Sequence, residues 1–383
     1  MRIIRIAEKE LLVLSKQYRA IAVVGPRQSG KTTLVRGVFP EKAYVNLENT
    51  DIRRFATEDP RGFLSGFPDG AILDEVQRVP ELFSYLQQIL DENTTKGQFI
   101  LTGSNNFLLQ ENISQTLAGR VGYMFLLPLS LHELYQPLPS TDELIYRGLY
   151  PELYDGEQMD AGKYYSNYIR TYVERDVRLI KNIVDLYTFE RFVRLCAGRT
   201  GQLLNMNSLA IETGVDNKTI ASWLSVLETS FIVFRLQPYH KNYNKRIVKM
   251  PKLYFYDTGL ASALLGIENK EQLSLHPFRG ALFENMVVLE FLKNRFNHGK
   301  TNNLFFWRDN VGTEIDLLIE NTERLVPIEI KSGQTITDAY FKSLTTWCKI
   351  SGIDTGYVIY SGNQTQKRSN GITVLPYTST DFF

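Results

Sequence analysis

In the first third of the chain, short apolar runs alternate with amphipathic stretches. Ile21-Ala22-Val23-Val24, Ala43-Tyr44-Val45-Asn46-Leu47, Ala71-Ile72-Leu73 and Phe99-Ile100-Leu101 each read as a strand buried on both faces. Helical spacing over residues 81–90 separates the last two, and Val121-Gly122-Tyr123-Met124-Phe125-Leu126-Leu127 adds a fifth strand. This rhythm predicts a parallel sheet covered by helices, with ligands at the carboxyl ends of its strands.

Beyond about residue 159 the period changes. Tyr164, Tyr165, Tyr168, Tyr172, Val173, Val177, Leu179 and Ile180 form a helical stripe, read as a lid packed beside the first domain with its aromatics as core. Residues 203–224 follow as a helix-turn-helix. Ser208 or Asn207 would cap the first helix and Gly214 would end it. Asp216 would cap a second helix with Ile220, Trp223, Leu224 and Leu227 inward. Strands at 231–236 and 252–256 would make it winged. Two further strands, at 312–319 and 326–331, lie in the last third.

The turn after the first strand carries the chemistry. Gly25-Pro26-Arg27-Gln28-Ser29-Gly30-Lys31-Thr32 is a G-x-x-x-x-G-K-[ST] phosphate loop, leading through Thr33 into a helix. Its glycines let backbone N–H groups turn toward a polyphosphate; Lys31 would reach the terminal phosphates and Thr32 would ligate Mg²⁺. The strand ending Asp74-Glu75 offers a carboxylate for the Mg²⁺ of bound ATP and a second to polarise the attacking water. Thr102-Gly103-Ser104-Asn105 closes the next strand with small polar groups able to orient that water. Arg120 either faces a neighbouring subunit's nucleotide or is a favourable cation at a helix end, and Arg27 is a competing phosphate contact.

Together Gly25 to Thr33, Leu73-Asp74-Glu75-Val76-Gln77, Leu101-Thr102-Gly103-Ser104, Leu117-Ala118-Gly119-Arg120 and Leu127-Pro128-Leu129-Ser130 resemble the AAA-type ATPases of bacteria and archaea that carry a C-terminal domain of unknown function. The likeness extends to Gly148-Leu149-Tyr150-Pro151-Glu152, Tyr172-Val173-Glu174-Arg175-Asp176 and Leu253 to Leu260, so it spans nearly the whole chain. It departs at Gly148-Leu149, where two adjacent glycines are usual. The resemblance implies ATPase activity and a nuclease-like C-terminal fold. The expected α/β architecture is a P-loop ATPase core over 1–155, a helical lid over 156–200, a winged helix-turn-helix over 201–262 and a restriction-endonuclease-like domain over 263–383.

Composition changes little in this picture. With 383 residues, 43% of them apolar, the chain can build two or three domains with their own cores. Lys plus Arg is 43 against 42 for Asp plus Glu, so only local clusters can point to a polyanion. One such cluster follows the helix-turn-helix: Lys241, Lys245, Arg246 and Lys249, with Tyr243 among them. With Lys218 they are candidate DNA-backbone contacts, although winged helices also bind proteins.

A second candidate chemistry lies in the C-terminal strands. Asp316 on one, and Glu329 with Lys331 on the next, can share a face if the strands pair as a hairpin. Glu284, on a preceding helix, is a further metal ligand for such a site. This pattern resembles the restriction-endonuclease signature and its metal-dependent phosphodiester hydrolysis. Cys196 and Cys348 sit in apolar helical contexts, suggesting buried thiols in a reducing compartment. No apolar run approaches the roughly 18 residues of a membrane span, and the N-terminus has no signal core, so a cytoplasmic protein is expected. Three functions fit these motifs: an ATP-driven, ring-forming machine on DNA, an ATP-gated nuclease, or a nucleotide-switched scaffold with a protein partner.

Overall fold

Strands β1 (Ala20–Val24), β2 (Ala43–Asn46), β3 (Ala71–Asp74), β4 (Phe99–Gly103) and β5 (Val121–Phe125) form an all-parallel sheet in the order β2-β3-β4-β1-β5. Every residue of β1, β3 and β4 is buried, which is why their sequences are continuously apolar rather than alternating. The computed structural model describes residues 3–103, 113, 116–156, 159–171, 185–240, 250–321 and 324–382. Successive residues of β1 serve opposite layers. Ile21 and Val23 pack with Leu11 and Leu14 of α1 (Glu8–Gln17) and with Leu34 and Val35 of α2 (Lys31–Val38). Ala20, Ala22 and Val24 join a larger core that includes the chain after β2, namely α3 (Thr50–Glu58), α4 (Pro60–Ser65) and α5 (Leu82–Glu92).

The sheet is followed by α6 (Thr141–Arg147), α7 (Ala161–Thr171) and α8 (Leu186–Ala197). Tyr164, Tyr165 and Tyr168 of the expected lid stripe are buried on α7; Tyr172, Val173, Val177, Leu179 and Ile180 lie outside the described residues. The helix-turn-helix is α9 (Met206–Thr213) and α10 (Asn217–Thr229). Asp216 caps α10 as expected, and Gly214 ends α9 in the left-handed conformation. The cap of α9 is corrected: the Asn205 carboxamide accepts the Ser208 N–H, so the helix starts earlier than Asn207 or Ser208 would place it.

After α10 come β6 (Val233–Pro238), β7 (Lys252–Phe255), α11 (Thr258–Leu264), α12 (Lys270–Ser274) and the long α13 (Arg279–Asn297). The last part contains β8 (Leu304–Arg308), β9 (Glu314–Glu320), β10 (Leu325–Lys331), α14 (Lys342–Ser351), β11 (Gly356–Tyr360), β12 (Gln366–Lys367) and β13 (Ile372–Pro376). β6 and β7 pair antiparallel. But β6 also pairs with β8 at Gln237↔Phe305 and Pro238↔Phe306, giving one eight-stranded sheet ordered β12-β13-β11-β10-β9-β8-β6-β7. Strands on both sides of residue 262 thus belong to one hydrogen-bonded sheet. Cys196 is buried as expected, whereas Cys348 is only half-buried, because helical spacing alone does not say which flank of α14 meets the sheet.

Helix α13 joins the two sheets. Glu290 accepts the Leu131 N–H at 2.8 Å, while Lys293 donates to the Leu129 carbonyl at 2.7 Å and pairs with Glu290 at 2.9 Å, both side chains being almost wholly buried. Phe296 beside them packs on Phe125 of β5 with ring centroids 5.1 Å apart. Among the described residues, no helix is long and apolar enough to cross a membrane. Replacing Lys293 by Met strands the buried Glu290 carboxylate, so urea unfolding should show a loss of about 3–5 kcal/mol. An unchanged midpoint would exclude this pair as the joint.

Candidate functional site

The phosphate loop connects β1 to α2 at the carboxyl end of the sheet. Gly25 is required by close approach, since a Cβ there would run into the Leu126 carbonyl oxygen at the end of β5. Gln28 and Gly30 have φ of 61° and 89°, which turn the loop so that α2 presents its N-terminus. Beneath it lies a residue the motif does not include. The buried guanidinium of Arg5 donates to Ser29 O at 2.8 Å and Leu127 O at 2.7 Å, and pairs with Glu133 at 3.0 Å. The only local hint of this role was a charge flanked by isoleucines.

Lys31 donates to the carbonyls of Gly25, 3.0 Å, and Pro26, 2.7 Å. Burial pulls its pKa down to about 8, against the opposing pull of the Glu75 and Asp74 carboxylates. Asp74 is held from three directions: Thr32 donates to Oδ2 at 3.0 Å, Tyr44 to the same oxygen at 2.7 Å, and Thr102 to Oδ1. Thr102, expected to orient water, is thus committed to Asp74. Tyr44 was read only as a strand residue; it alternates outward on β2, under the Arg36 guanidinium 4.7 Å from its ring. Glu75 follows with φ of 54°, a conformation uncommon for a residue other than glycine. Its carboxylate accepts the Gln77 amide at 2.6 Å.

These groups open onto a cleft of about 980 Å³, lined by Arg27, Gln28, Gly30, Lys31, Thr32, Thr33 and Glu75 on one side and by Ile3, Pro151 and Tyr168 on the other. Pro26 contributes its carbonyl and Ser29 is buried inside the loop. Tyr164 on α7 donates to the Gln28 side chain at 2.7 Å, so this helix touches the loop directly. Its neighbour Tyr165 donates to Asp257 at 2.6 Å. Asp257 also accepts the N–H groups of Leu149, 2.8 Å, and Leu260, 2.9 Å. Gly148, with φ of 65°, packs against Tyr165 and Asp257, so the single glycine of Gly148-Leu149 serves this junction.

Arg120 is not brought to its own chain's loop. Ala20 pairs with Val121, which puts Arg120 at the opposite end of the sheet, where it forms a two-pronged pair with Asp91 at 2.6 and 2.9 Å. Lys218 is exposed at the start of α10, whose other solvent-facing residues are Asn217, Ala221 and Ser225. Asn105, Lys241, Lys245, Arg246 and Lys249 lie outside the described residues.

The C-terminal carboxylates do converge. β9 and β10 form the expected hairpin across residues 320–325. Lys331 lies 2.6 Å from Glu329 and 3.8 Å from Asp316, whose Oδ2 accepts the Ile330 N–H. Burial, then Asp316, pushes Glu329 up to about 8. Glu284 is raised to about 6 by burial, opposed by Lys252 at 2.9 Å. Among the described residues no group of three or more His, Cys, Asp or Glu is placed to hold a metal ion. The oxygens of Glu284, Asp316 and Glu329 face lysines, a tyrosine and a backbone N–H.

Three family models match in succession: an AAA domain over residues 17–135, a domain of unknown function (DUF8612) over 138–271, and a domain of unknown function (DUF4143) over 279–380. Uncharacterized protein Rv2008c of Mycobacterium tuberculosis and Uncharacterized protein Mb2031c of Mycobacterium bovis are each 31% identical over 360 residues, covering 93% of this chain and 79% of the relative. Among solved structures, the Walker-type ATPase PABY2304 of Pyrococcus abyssi is similar at 14% identity, covering 67% of this chain and 94% of that one, with a TM-score of 0.43.

A polyphosphate needs Lys31 as an ammonium, while burial brings its pKa to about 8. ATP affinity should hold between pH 6.5 and 7.5 and weaken as pH rises through 8, with proton uptake on binding there. Calorimetric titration at pH 7, 8 and 9 in buffers of different ionisation enthalpy reads both; pH-independent affinity to 9 would refute it.

Proposed function

The chain belongs to one family with its mycobacterial relatives and carries an AAA domain, and on that premise we propose that it hydrolyses MgATP in the cleft at the carboxyl end of its parallel sheet. The observation that carries this is the convergence of Lys31, Thr32 and Glu75 on one cleft, with Asp74 hydrogen-bonded to Thr32 behind it. The substrate's polyphosphate would lie along the loop N–H groups and Lys31, with its Mg²⁺ held by Thr32 and the side of Asp74. Glu75 would accept a proton from the water attacking the γ-phosphorus as the bond to the ADP oxygen breaks. The hold of Tyr44 and Thr102 on Asp74 supports this reading, since a carboxylate fixed before the substrate arrives loses little freedom on binding.

DNA is the proposed partner, contacted through its backbone by Lys218 and the basic run 241–249. A homo-oligomeric ring is proposed with it, because Arg120 lies at the far end of the sheet from its own loop and could only serve another subunit's cleft. The half-exposed Asp91 pair would have to open for that. Phosphodiester cleavage by the C-terminal domain has one observation in its favour, the convergence of Asp316, Glu329 and Lys331.

Glu75→Gln should retain nucleotide affinity while kcat falls about 10²–10⁴-fold, the usual contribution of a positioned base. Loss of affinity with kcat preserved would overturn its role. ATP turnover should rise on adding duplex or single-stranded DNA at low salt. Turnover indifferent to DNA, with no mobility shift, would remove DNA as partner and leave the ATPase standing.

A further inference from the structure

The carboxylates whose spacing suggests a divalent ion are met by ammonium groups of this chain. Lys252, on β7, is 2% exposed. Its Nζ lies 2.9 Å from Glu284 of α13 and 2.5 Å from Glu314 at the head of β9. Tyr254, two residues along and so on the same face of the strand, donates to the same Glu284 oxygen at 2.5 Å. Lys331 occupies the other half of the cluster, against Glu329 and Asp316. Arg308 pairs with the second oxygen of Glu314 at 3.2 Å.

We propose that Lys252 is the resident cation of this cluster: its ammonium, with that of Lys331, takes the place of a divalent metal and clamps the helix-turn-helix strand β7 onto α13 and the C-terminal sheet. Four carboxylates buried or half-buried side by side repel one another unless positive charge is placed among them. Lys252, Lys331 and Arg308 supply that charge from inside the chain. An ammonium suits the position because it has three donors and no acceptor. Lys252 cannot readily withdraw, for its nitrogen sits 5.7 Å from the Phe306 ring centroid and the residue is closed off from solvent. The cluster also draws on α13 and four strands, β7, β8, β9 and β10, as a fastening between parts of the chain should. This inference does not depend on ATP hydrolysis, and it separates the C-terminal domain from metal-dependent cleavage.

The test uses the full chain carrying Asp74→Asn, which removes the carboxylate proposed to hold Mg²⁺ at the phosphate loop, without nucleotide. Mn²⁺ titrated to 10 mM, on the order of a weak protein site, is followed by calorimetry and by melting temperature. No saturable binding and no shift are expected. Adding Lys252→Met should lower the melting temperature by about 5 °C or more. Should that variant fail to fold, Glu314→Gln, which leaves Lys252 half its pairing, should also melt lower than its parent. Saturable Mn²⁺ binding that Asp316→Asn abolishes would overturn the proposal. So would a Lys252→Met or Glu314→Gln chain that melts with its parent.

Discussion

The buried carboxylate of Asp257 is the constraint on which the arrangement of the parts depends. It caps α11, takes the backbone N–H of Leu149, and accepts the hydroxyl of Tyr165 on α7. Burial raises its pKa, and the three donors oppose that shift. A carboxylate so placed is stable only while all three segments stay together, because losing one donor leaves charge in an apolar interior. Tyr164, one residue before Tyr165, reaches the phosphate loop through Gln28. A turn of the loop and the seating of α11 are therefore separated by one helix and two adjacent tyrosines.

The first sheet was legible because strands buried on both faces must be apolar throughout, and because the phosphate loop demands its glycines locally. Gly25, Lys31, Thr32, Asp74 and Glu75 could be named for the same reason: each stands at a strand end or in a turn with a spacing its chemistry dictates. Arg5, Tyr44 and Asp257 could not. Their distant partners lie 24 to 128, 30, and 92 to 108 residues away, and no local pattern encodes such meetings. The α9 cap failed differently, since several polar residues stand within one turn and the phase of the helix decides among them.

The C-terminal carboxylates show how a short pattern can be right about geometry and silent about chemistry. Alternation on β10 puts Glu329 and Lys331 on one face, and the hairpin brings in Asp316, as the spacing requires. What the pattern could not contain was Lys252, delivered from β7 between the helix-turn-helix and α13. Local spacing assembles the acids; tertiary contact decides which cation answers them.

The pairing of β6 with β8 has a mechanical consequence. Helix α10 runs directly into β6, and β6 is an interior strand of the eight-stranded sheet. A hydrogen-bonded sheet resists sliding between neighbouring strands, so torque on α10 passes into β8, β9 and β10 as into one plate. Whatever grips the helix-turn-helix thus also turns the C-terminal strands.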